Sequence, residues 1–171
     1  MDKLKSLCLV AHPDDCIIFG YGYIMNNPAD WVICYLTNNR KSGRGIEIKN
    51  FWDERNIETM FLEYLDLPSD RLFNTVSFDK KSAKQDIDII TSEFDLVLTH
   101  NIAGEYGHPH HKFINESVNH KNVIEFSYPN DGETMYWMPK TSFDLNLLPQ
   151  HKSAIEHFQN QEHLVYGYNK R

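Results

Sequence analysis

Long apolar runs and clusters of positive charge are both missing from this chain of 171 residues. No apolar segment approaches the roughly 18 residues that a membrane span needs, so we predict no membrane-spanning helix. Lysine and arginine never cluster beyond a pair, and 17 basic against 24 acidic residues give a net charge of -7. Proteins that bind nucleic acid through its phosphates need the opposite charge balance. The composition therefore argues against a nucleic-acid partner and favours a small-molecule substrate.

Cysteine is scarce as well, with Cys8, Cys16 and Cys34 as the three examples. An odd number, with two of the three in strand-like runs, predicts reduced and buried thiols in a cytoplasmic protein. The N-terminal apolar segment is broken at once by His12 and two aspartates, which argues against a signal peptide. With 41% hydrophobic residues, the chain is long enough for one domain with a real core and too short for two. We predict a single domain over residues 1–171, and a homo-oligomer stays open.

Short β-branched or aromatic runs alternate with longer stretches of helical period, which is typical of βαβ units. We therefore predict an α/β fold, a Rossmann-like three-layer sandwich with helices on both faces of a mostly parallel sheet. The predicted strands are 4–12, 31–38, a strand near 71–78, 95–100, 122–128 and a hairpin partner at 133–139. The predicted helices are 16–26, 51–66, 81–94, 112–120 and 149–161, with a polar loop between 38 and 50.

Two His-Pro sequences, His12-Pro13 and His108-Pro109, each follow a predicted strand. Ligands of open α/β sheets bind in the crevice at the carboxyl ends of the strands, so both sequences should meet there. Proline also biases the residue before it toward extended geometry. Each histidine should therefore be held in place.

A catalytic zinc site needs three protein ligands and one position left open for water. His12 and Asp15 have suitable spacing for two ligands, and we take His111 as the third. His108 lies three residues before His111, on the same face of a helix, so one of the pair can bind metal while the other points at the substrate. Asp14 should diverge from its neighbour and remain beside the metal as a general base.

Each motif alone also has a structural interpretation. "HPDD" is more often a turn with an aspartate helix cap, and "GHPHH" is more often a solvated loop. However, five of the nine histidines fall at position 12 or between 100 and 111, after two strands of the predicted sheet. Together the two motifs favour a site.

The two motifs also carry a family resemblance. "AHPDD" at 11–15 together with "GEYGHPHHK" at 104–112 resembles the PIG-L/LmbE-like family of zinc-dependent N-deacetylases, which act on N-acetylglucosamine conjugates and related amino sugars. "ERNIE" at 54–58 is similar to the family's Arg-x-x-Glu helix, and "HKSAIEHFQNQ" at 151–161 resembles its C-terminal helix. The resemblance thus covers nearly the whole chain.

The resemblance implies a role for each matched residue. It makes His12, Asp15 and His111 the ligands of one Zn²⁺ per chain, although another divalent metal is compatible with them. The general base is then Asp14, and His108 assists the transition state. The residues implied for substrate contact are Tyr106 and Arg55, although for Arg55 a structural pairing with Glu58 or another carboxylate is an equal alternative.

Two positions depart from the family pattern. Cys16 replaces the glutamate that usually follows the two aspartates, and His110 replaces an aspartate in the second motif. We expect Cys16 to be a small buried residue rather than a soft metal ligand. We expect His110 to lie behind the ligands or to face solvent.

The expected reaction is metal-assisted hydrolysis of an acetamide, which gives acetate and a free amino sugar. Two alternatives stay open. The same site could hydrolyse a different amide or an ester, or the chain could be a non-catalytic zinc- or sugar-binding domain of the same fold.

Overall fold

A computed structural model describes residues 4–126 of the chain. Within that range, five parallel strands form one sheet in the order β3-β2-β1-β4-β5. The strands are β1 Lys5–Val10, β2 Asp30–Thr37, β3 Glu58–Tyr64, β4 Leu96–Thr99 and β5 Val123–Glu125. The helices are a π-helical turn at Cys16–Gly20, α1 Tyr21–Asn26, α2 Gly43–Asp53, α3 Pro68–Phe73, α4 Lys80–Thr91, a single irregular turn α5 Gly104–Gly107, and α6 Pro109–Ser117.

Two hydrophobic clusters lie on opposite faces of the sheet. On one face, Cys8 and Val10 of β1 pack with residues of α1 and α2. On the other face, Leu7 and Leu9 pack with residues of α4 and α6. Because helices cover both faces, β1 and β2 are continuous apolar runs rather than alternating ones. The predicted sandwich with a parallel sheet is confirmed.

The predicted helix over 51–66 is wrong. The helix in this region, α2, begins earlier and ends at Asp53, and Glu58–Tyr64 forms β3 beside β2. Ser42 caps the helix by accepting a hydrogen bond from the Gly45 backbone N–H at 3.0 Å. A Cβ at Gly45 would lie 1.9 Å from the carbonyl oxygen of Asn39, so only glycine fits there. The sequence pattern did not indicate this helix because its first turn contains Gly43 and Gly45, and glycine has low helix propensity.

The strand predicted near 71–78 is also wrong, because Pro68–Phe73 forms α3 and Asn74 ends it in the left-handed conformation. The other strands and helices predicted within the described residues are confirmed, with their described ends shifted by one to three residues. The last two residues of the strand predicted over 122–128 lie outside the described residues. The hairpin partner at 133–139, the helix at 149–161 and the motif at 151–161 lie outside the described residues.

Side chains join the carboxyl ends of neighbouring strands. Thr37 donates its hydroxyl to the carbonyl oxygen of Ala11 at 2.7 Å, and Thr99 donates to that of Leu9 at 2.8 Å. The backbone N–H of Ala11 donates to Nε2 of His100 at 3.0 Å. These bonds fix the edge of the sheet from which the first His-Pro sequence begins.

None of the helices between residues 4 and 126 combines the length and the apolar character that crossing a bilayer requires.

Candidate metal centre

Three side chains meet at the carboxyl edge of the sheet with donor atoms at nearly equal separations. Nδ1 of His12 lies 3.1 Å from Oδ2 of Asp15 and 3.3 Å from Nε2 of His111, and the last two atoms are 3.2 Å apart. Ligand atoms at zinc–nitrogen distances of about 2.0–2.1 Å in a tetrahedron are separated by about 3.3 Å. The spacing therefore fits one face of a tetrahedral metal site. We call these three residues the ligand triangle.

A tight turn sets the positions of His12 and Asp15. Asp15 donates its backbone N–H to the carbonyl oxygen of His12 at 3.1 Å, and its Oδ2 accepts the backbone N–H of His12 at 2.8 Å. Burial alone would raise the pKa of Asp15. The imidazoles of His111 and His12 outweigh burial and lower that pKa well below its usual value. Asp15 is thus a carboxylate, as a ligand must be.

His111 is oriented by Glu105, a residue that sequence reasoning left without a role. Oε2 of Glu105 lies 2.6 Å from Nδ1 of His111 and 2.8 Å from Nδ1 of His100, and its Oε1 accepts the backbone N–H of Asn101 at 2.9 Å. The carboxylate accepts the Nδ1 proton of His111, so in the neutral ring Nε2 offers its lone pair to the ligand triangle.

Glu105 combines a lowered pKa with a strained backbone conformation. Burial raises the pKa of Glu105, but the neighbouring imidazoles of His100 and His111 outweigh burial and hold it at about 2. Its backbone has φ of 57° and ψ of -70°, which is costly for a residue with a side chain. The hydrogen bonds of the Glu105 carboxylate therefore offset the energetic cost of this backbone conformation.

His108 lies over the ligand triangle as the N-terminal cap of α6. Its Nδ1 accepts the backbone N–H of His110 at 3.2 Å, so in the neutral ring Nε2 carries the proton. Burial and the charges of His12 and His111 lower the pKa of His108 to about 2. The ring centroid of His108 is 4.6 Å from that of His12. His108 thus brings an N–H donor to the site.

Tyr106 is half-buried beside the same histidines, with its ring centroid 5.8 Å from that of His108 and 5.3 Å from that of His111. The guanidinium of Arg71 lies 5.2 Å from the centre of the Tyr106 ring. The structure therefore brings Tyr106 to the predicted site.

Asp14 diverges from Asp15 and contacts an arginine that sequence reasoning missed. Its Oδ1 accepts a hydrogen bond from Nη2 of Arg44 at 2.8 Å, and Nη1 of Arg44 is 3.7 Å from Asp66. Burial and the charge of Asp15 raise the pKa of Asp14, while Arg44 and His12 oppose that shift. Asp14 is therefore a buried carboxylate with a raised pKa beside the ligand triangle.

Arg44 belongs to α2, inside the segment predicted as a polar loop. Arg44 and Glu47 have the Arg-x-x-Glu spacing and lie in a helix. By contrast, Arg55 and Glu58 fall in the turn after α2 and at the first residue of β3. The spacing could have identified Arg44, had the helix been placed correctly.

The structure does not bring Arg55 to the ligand triangle. Arg55 donates to the carbonyl oxygen of Phe51 at 2.8 Å, and its guanidinium lies 3.7 Å from the centre of the Phe51 ring. It lines a cavity of about 660 Å³ with Lys5, Asp30 and Glu58, the first residues of three strands. This cavity is at the opposite edge of the sheet.

The two positions that depart from the family pattern are both buried. The Sγ atom of Cys16 lies 2.8 Å from the hydroxyl oxygen of Tyr35, and burial raises the pKa of the thiol. Cys16 therefore belongs to the core, as expected. The Nδ1 atom of His110 lies 3.1 Å from Nε2 of His12, behind the ligand triangle.

Three further groups of side chains in the described residues could hold a cation. The first joins His108 to His12 and His111, but Nδ1 of His108 already accepts the backbone N–H of His110. The second adds His100 to Asp15 and His111, but Nε2 of His100 already accepts the backbone N–H of Ala11. The third combines His12 with Asp66 and His110 and uses the opposite nitrogen of His12.

The fold and the site together define a class: an α/β protein with a buried cluster of imidazoles and carboxylates at the carboxyl edge of a parallel sheet, fit for a metal ion. The model of the PIG-L family, described as GlcNAc-PI de-N-acetylase, matches residues 7–121, more than half of the chain. The chain belongs to this family, whose members are usually deacetylases, and the predicted resemblance is confirmed.

A relative from a giant virus also matches. The uncharacterized protein L374 of Acanthamoeba polyphaga mimivirus is 32% identical over 142 residues, which cover 74% of this chain. The aligned region spans 63% of the length of the viral protein.

Proposed function

We propose that this chain is a metal-dependent hydrolase that removes the N-acetyl group from an N-acetylglucosamine-type amino sugar conjugate, with one Zn²⁺ per chain. The observation that carries the proposal is the ligand triangle with Asp14 and His108 beside it. The family supports a hydrolase of the deacetylase type.

The metal would be held by His12, Asp15 and His111. Two imidazoles and one carboxylate form a ligand set of catalytic zinc sites, in which a fourth position stays open. Imidazole ligands also suit other divalent transition metals. A bound divalent cation supplies Lewis acidity toward a carbonyl oxygen and lowers the pKa of water.

Asp14 is the proposed general base. It takes a proton from the attacking water, whose oxygen forms a bond to the carbonyl carbon of the acetamide. Its raised pKa suits this task, because a more basic carboxylate accepts a proton more readily. Arg44 holds Oδ1, so the geometry of the carboxylate is set before the substrate binds. Asp14 then returns the proton to the amine nitrogen as the C–N bond breaks, and acetate and the free amine leave.

His108 is the proposed donor to the oxygen that gains negative charge. Its Nδ1 is occupied by the backbone N–H of His110, so the neutral ring presents the Nε2 proton. A donor placed in advance at a developing oxyanion lowers the activation barrier. The proposed substrate contact is Tyr106, which lies against His108. A substrate contact by Arg55 stays a prediction, whereas Arg44 is an arginine that does lie at the site.

A direct test is to incubate the purified, zinc-loaded chain with a panel of N-acetylglucosamine conjugates and to follow acetate and free amine by mass spectrometry. We expect release of both products in equal amounts, and none from Asp14→Asn at comparable times. A loaded chain that releases no acetate from any member of the panel contradicts the proposal.

The same panel, extended to other amides and simple esters, separates the two alternatives. Hydrolysis of those compounds alone would keep the site and change the substrate class. Binding of sugars without any hydrolysis would indicate a non-catalytic domain. A cytoplasmic location, the lack of a nucleic-acid partner and the open oligomeric state stay predictions from composition.

A further inference from the structure

A chain of buried side chains leads from His12 away from the ligand triangle. Nε2 of His12 lies 3.1 Å from Nδ1 of His110, and Nε2 of His110 lies 2.7 Å from Oδ2 of Asp70. Both His110 and Asp70 have no solvent exposure. Asp70 comes from α3 and is 40 positions away from His110 in sequence. We call His12, His110 and Asp70 the relay.

The hydrogen-bond partners of Asp70 make it an acceptor. Oδ2 accepts the backbone N–H of Ser77 at 3.1 Å, and Oδ1 accepts the hydroxyl of Ser77. Burial raises the pKa of Asp70, but the hydrogen bonds from Ser77 and His110 outweigh burial and lower it. The Nε2 atom of His110 must therefore carry the proton that it shares with this carboxylate.

The position of that proton determines the next ones. A neutral imidazole has one donor and one acceptor nitrogen. With the proton on Nε2, Nδ1 of His110 is an acceptor, and it faces Nε2 of His12. His12 must then donate from Nε2, which leaves the lone pair of its Nδ1 pointing into the ligand triangle.

We propose that His110 and Asp70 are positioning residues that hold His12 in the tautomer that binds metal through Nδ1. The inference rests on the metal site of the proposed function and assigns a role to two residues that do not contact the metal. Partners of this kind fix ring orientation and raise ligand basicity.

The competing interpretation is a second cation bound by His12, His110 and Asp66. The side chain of Asp66 is 28% exposed and lies 3.6 Å from Nε2 of His12 and 4.0 Å from Nδ1 of His110. Arg44 lies 3.7 Å from Asp66 and already supplies a positive charge there. Both distances to Asp66 exceed the separation of about 3.3 Å between ligand atoms of a tetrahedral zinc site, whereas the two imidazole nitrogens, 3.1 Å apart, are within hydrogen-bond distance. These contacts favour the relay.

Two substitutions of His110 separate the relay from simple packing. In His110→Asn, the amide oxygen can stand close to the position of Nδ1 and accept from His12, while the link to Asp70 is lost. In His110→Gln, the longer amide can reach Asp70, while the acceptor that faces His12 is lost. If His110 only stabilises the packing through its bond to Asp70, His110→Gln should retain more zinc affinity than His110→Asn. The relay predicts the opposite order, because His110→Asn keeps the acceptor that faces His12.

The measurement is the zinc affinity and stoichiometry of the full chain, by competition with a chromogenic chelator in the absence of substrate. We expect one zinc per chain, an affinity loss of roughly 10- to 100-fold for His110→Gln, and a clearly smaller loss for His110→Asn. His120→Gln is the control, because His120 contacts backbone oxygens of Asn122 and Phe94 rather than the cluster. It should bind zinc as the wild type does.

Equal affinity of His110→Gln and the wild type, tighter binding by His110→Gln than by His110→Asn, or two zinc ions per chain would each overturn the assignment. Circular dichroism shows whether each variant is folded. If His110→Gln does not fold, His110→Asn still decides, since near wild-type affinity supports the relay and a loss of 100-fold contradicts it. A wild type that binds no zinc overturns the metal site and the relay together. If the zinc affinities follow the predicted order but the chain releases no acetate, only the proposed function is contradicted.

Discussion

The two nitrogens of His12 face two similar sets of side chains. On the Nδ1 side, Asp15 and His111 have donor atoms within 3.3 Å of it and of each other. On the Nε2 side, His110 is 3.1 Å away, but Asp66 is 3.6 Å away and partly exposed. Each side offers an imidazole and a carboxylate, yet one neutral ring has one lone pair and one proton. The hydrogen bonds of His110 with Asp70 and of His111 with Glu105 determine which nitrogen of His12 carries the lone pair.

The largest expected effect comes from the imidazole on each side. His111→Ala should lose most of the bound metal, because it removes a ligand, whereas His110→Ala should keep the stoichiometry near one and bind more weakly. Elemental analysis of the two purified variants beside the wild type checks this contrast. If His110→Ala loses the metal and His111→Ala retains it, the two sides exchange their roles.

The next effect separates the two adjacent aspartates. Asp14→Asn should keep zinc and fold, while turnover falls by about 10²- to 10⁴-fold, the usual contribution of a general base. Asp15→Asn should weaken metal binding itself, because a neutral amide replaces a charged ligand. Parallel rate measurements and metal analysis decide between the roles. Wild-type turnover in Asp14→Asn would remove the proposed mechanism.

A third variant tests the carboxylate behind His111. Glu105→Gln should lower zinc affinity by roughly 10- to 100-fold, because the amide holds the Nδ1 proton of His111 less strongly. Asp66→Asn is the matched control on the Nε2 side and should bind zinc nearly as the wild type does. Chelator competition measures both. Equal losses in the two variants would contradict the difference between the sides.

A smaller effect is expected from the end of the relay. Asp70→Asn keeps an oxygen that can accept from His110 but removes its charge, so zinc affinity should fall by about tenfold, at the lower end of the range for such partners. Chelator competition at fixed pH measures the change. In a His110→Asn background the same substitution should have no further effect, because the link is already broken. An equal loss in both backgrounds would show that Asp70 acts by another route.

The smallest effect on metal binding is expected at Cys16, which contacts Tyr35 in the core rather than the ligand triangle. Cys16→Ser should leave zinc content unchanged and lower the free energy of unfolding by about 1 kcal/mol, the order expected for a polar group placed in an apolar environment. Urea denaturation and metal analysis check the two parts. A metal–sulfur distance in the X-ray absorption spectrum of the wild type would place Cys16 among the ligands.

Local patterns were sufficient for four of the five described strands and for the meeting of the two His-Pro motifs. Strands β1, β2 and β4 are short apolar runs, and α4 has a clear helical period with an aspartate cap at its start. Local patterns failed between residues 51 and 78. There, apolar residues four positions apart suggested a helix, but the exposed edge of β2 paired with the same residues as a strand. Backbone pairing at a sheet edge can override a weak helical pattern.

By itself, the sequence determined the parallel α/β fold and the meeting of His12, Asp15, His108 and His111. These residues belong to two motifs that follow β1 and β4, and sequence patterns locate the ends of both strands. Only the tertiary structure decided which side chains stand behind them. Arg44 contacts Asp14 from α2, a helix that the sequence pattern did not indicate because of its glycines. Asp70 contacts His110 from 40 positions away in the sequence. Glu105 reaches His111 through a strained turn that no propensity favours. Such contacts depend on how distant elements pack, and the period of a local pattern carries no information about that packing.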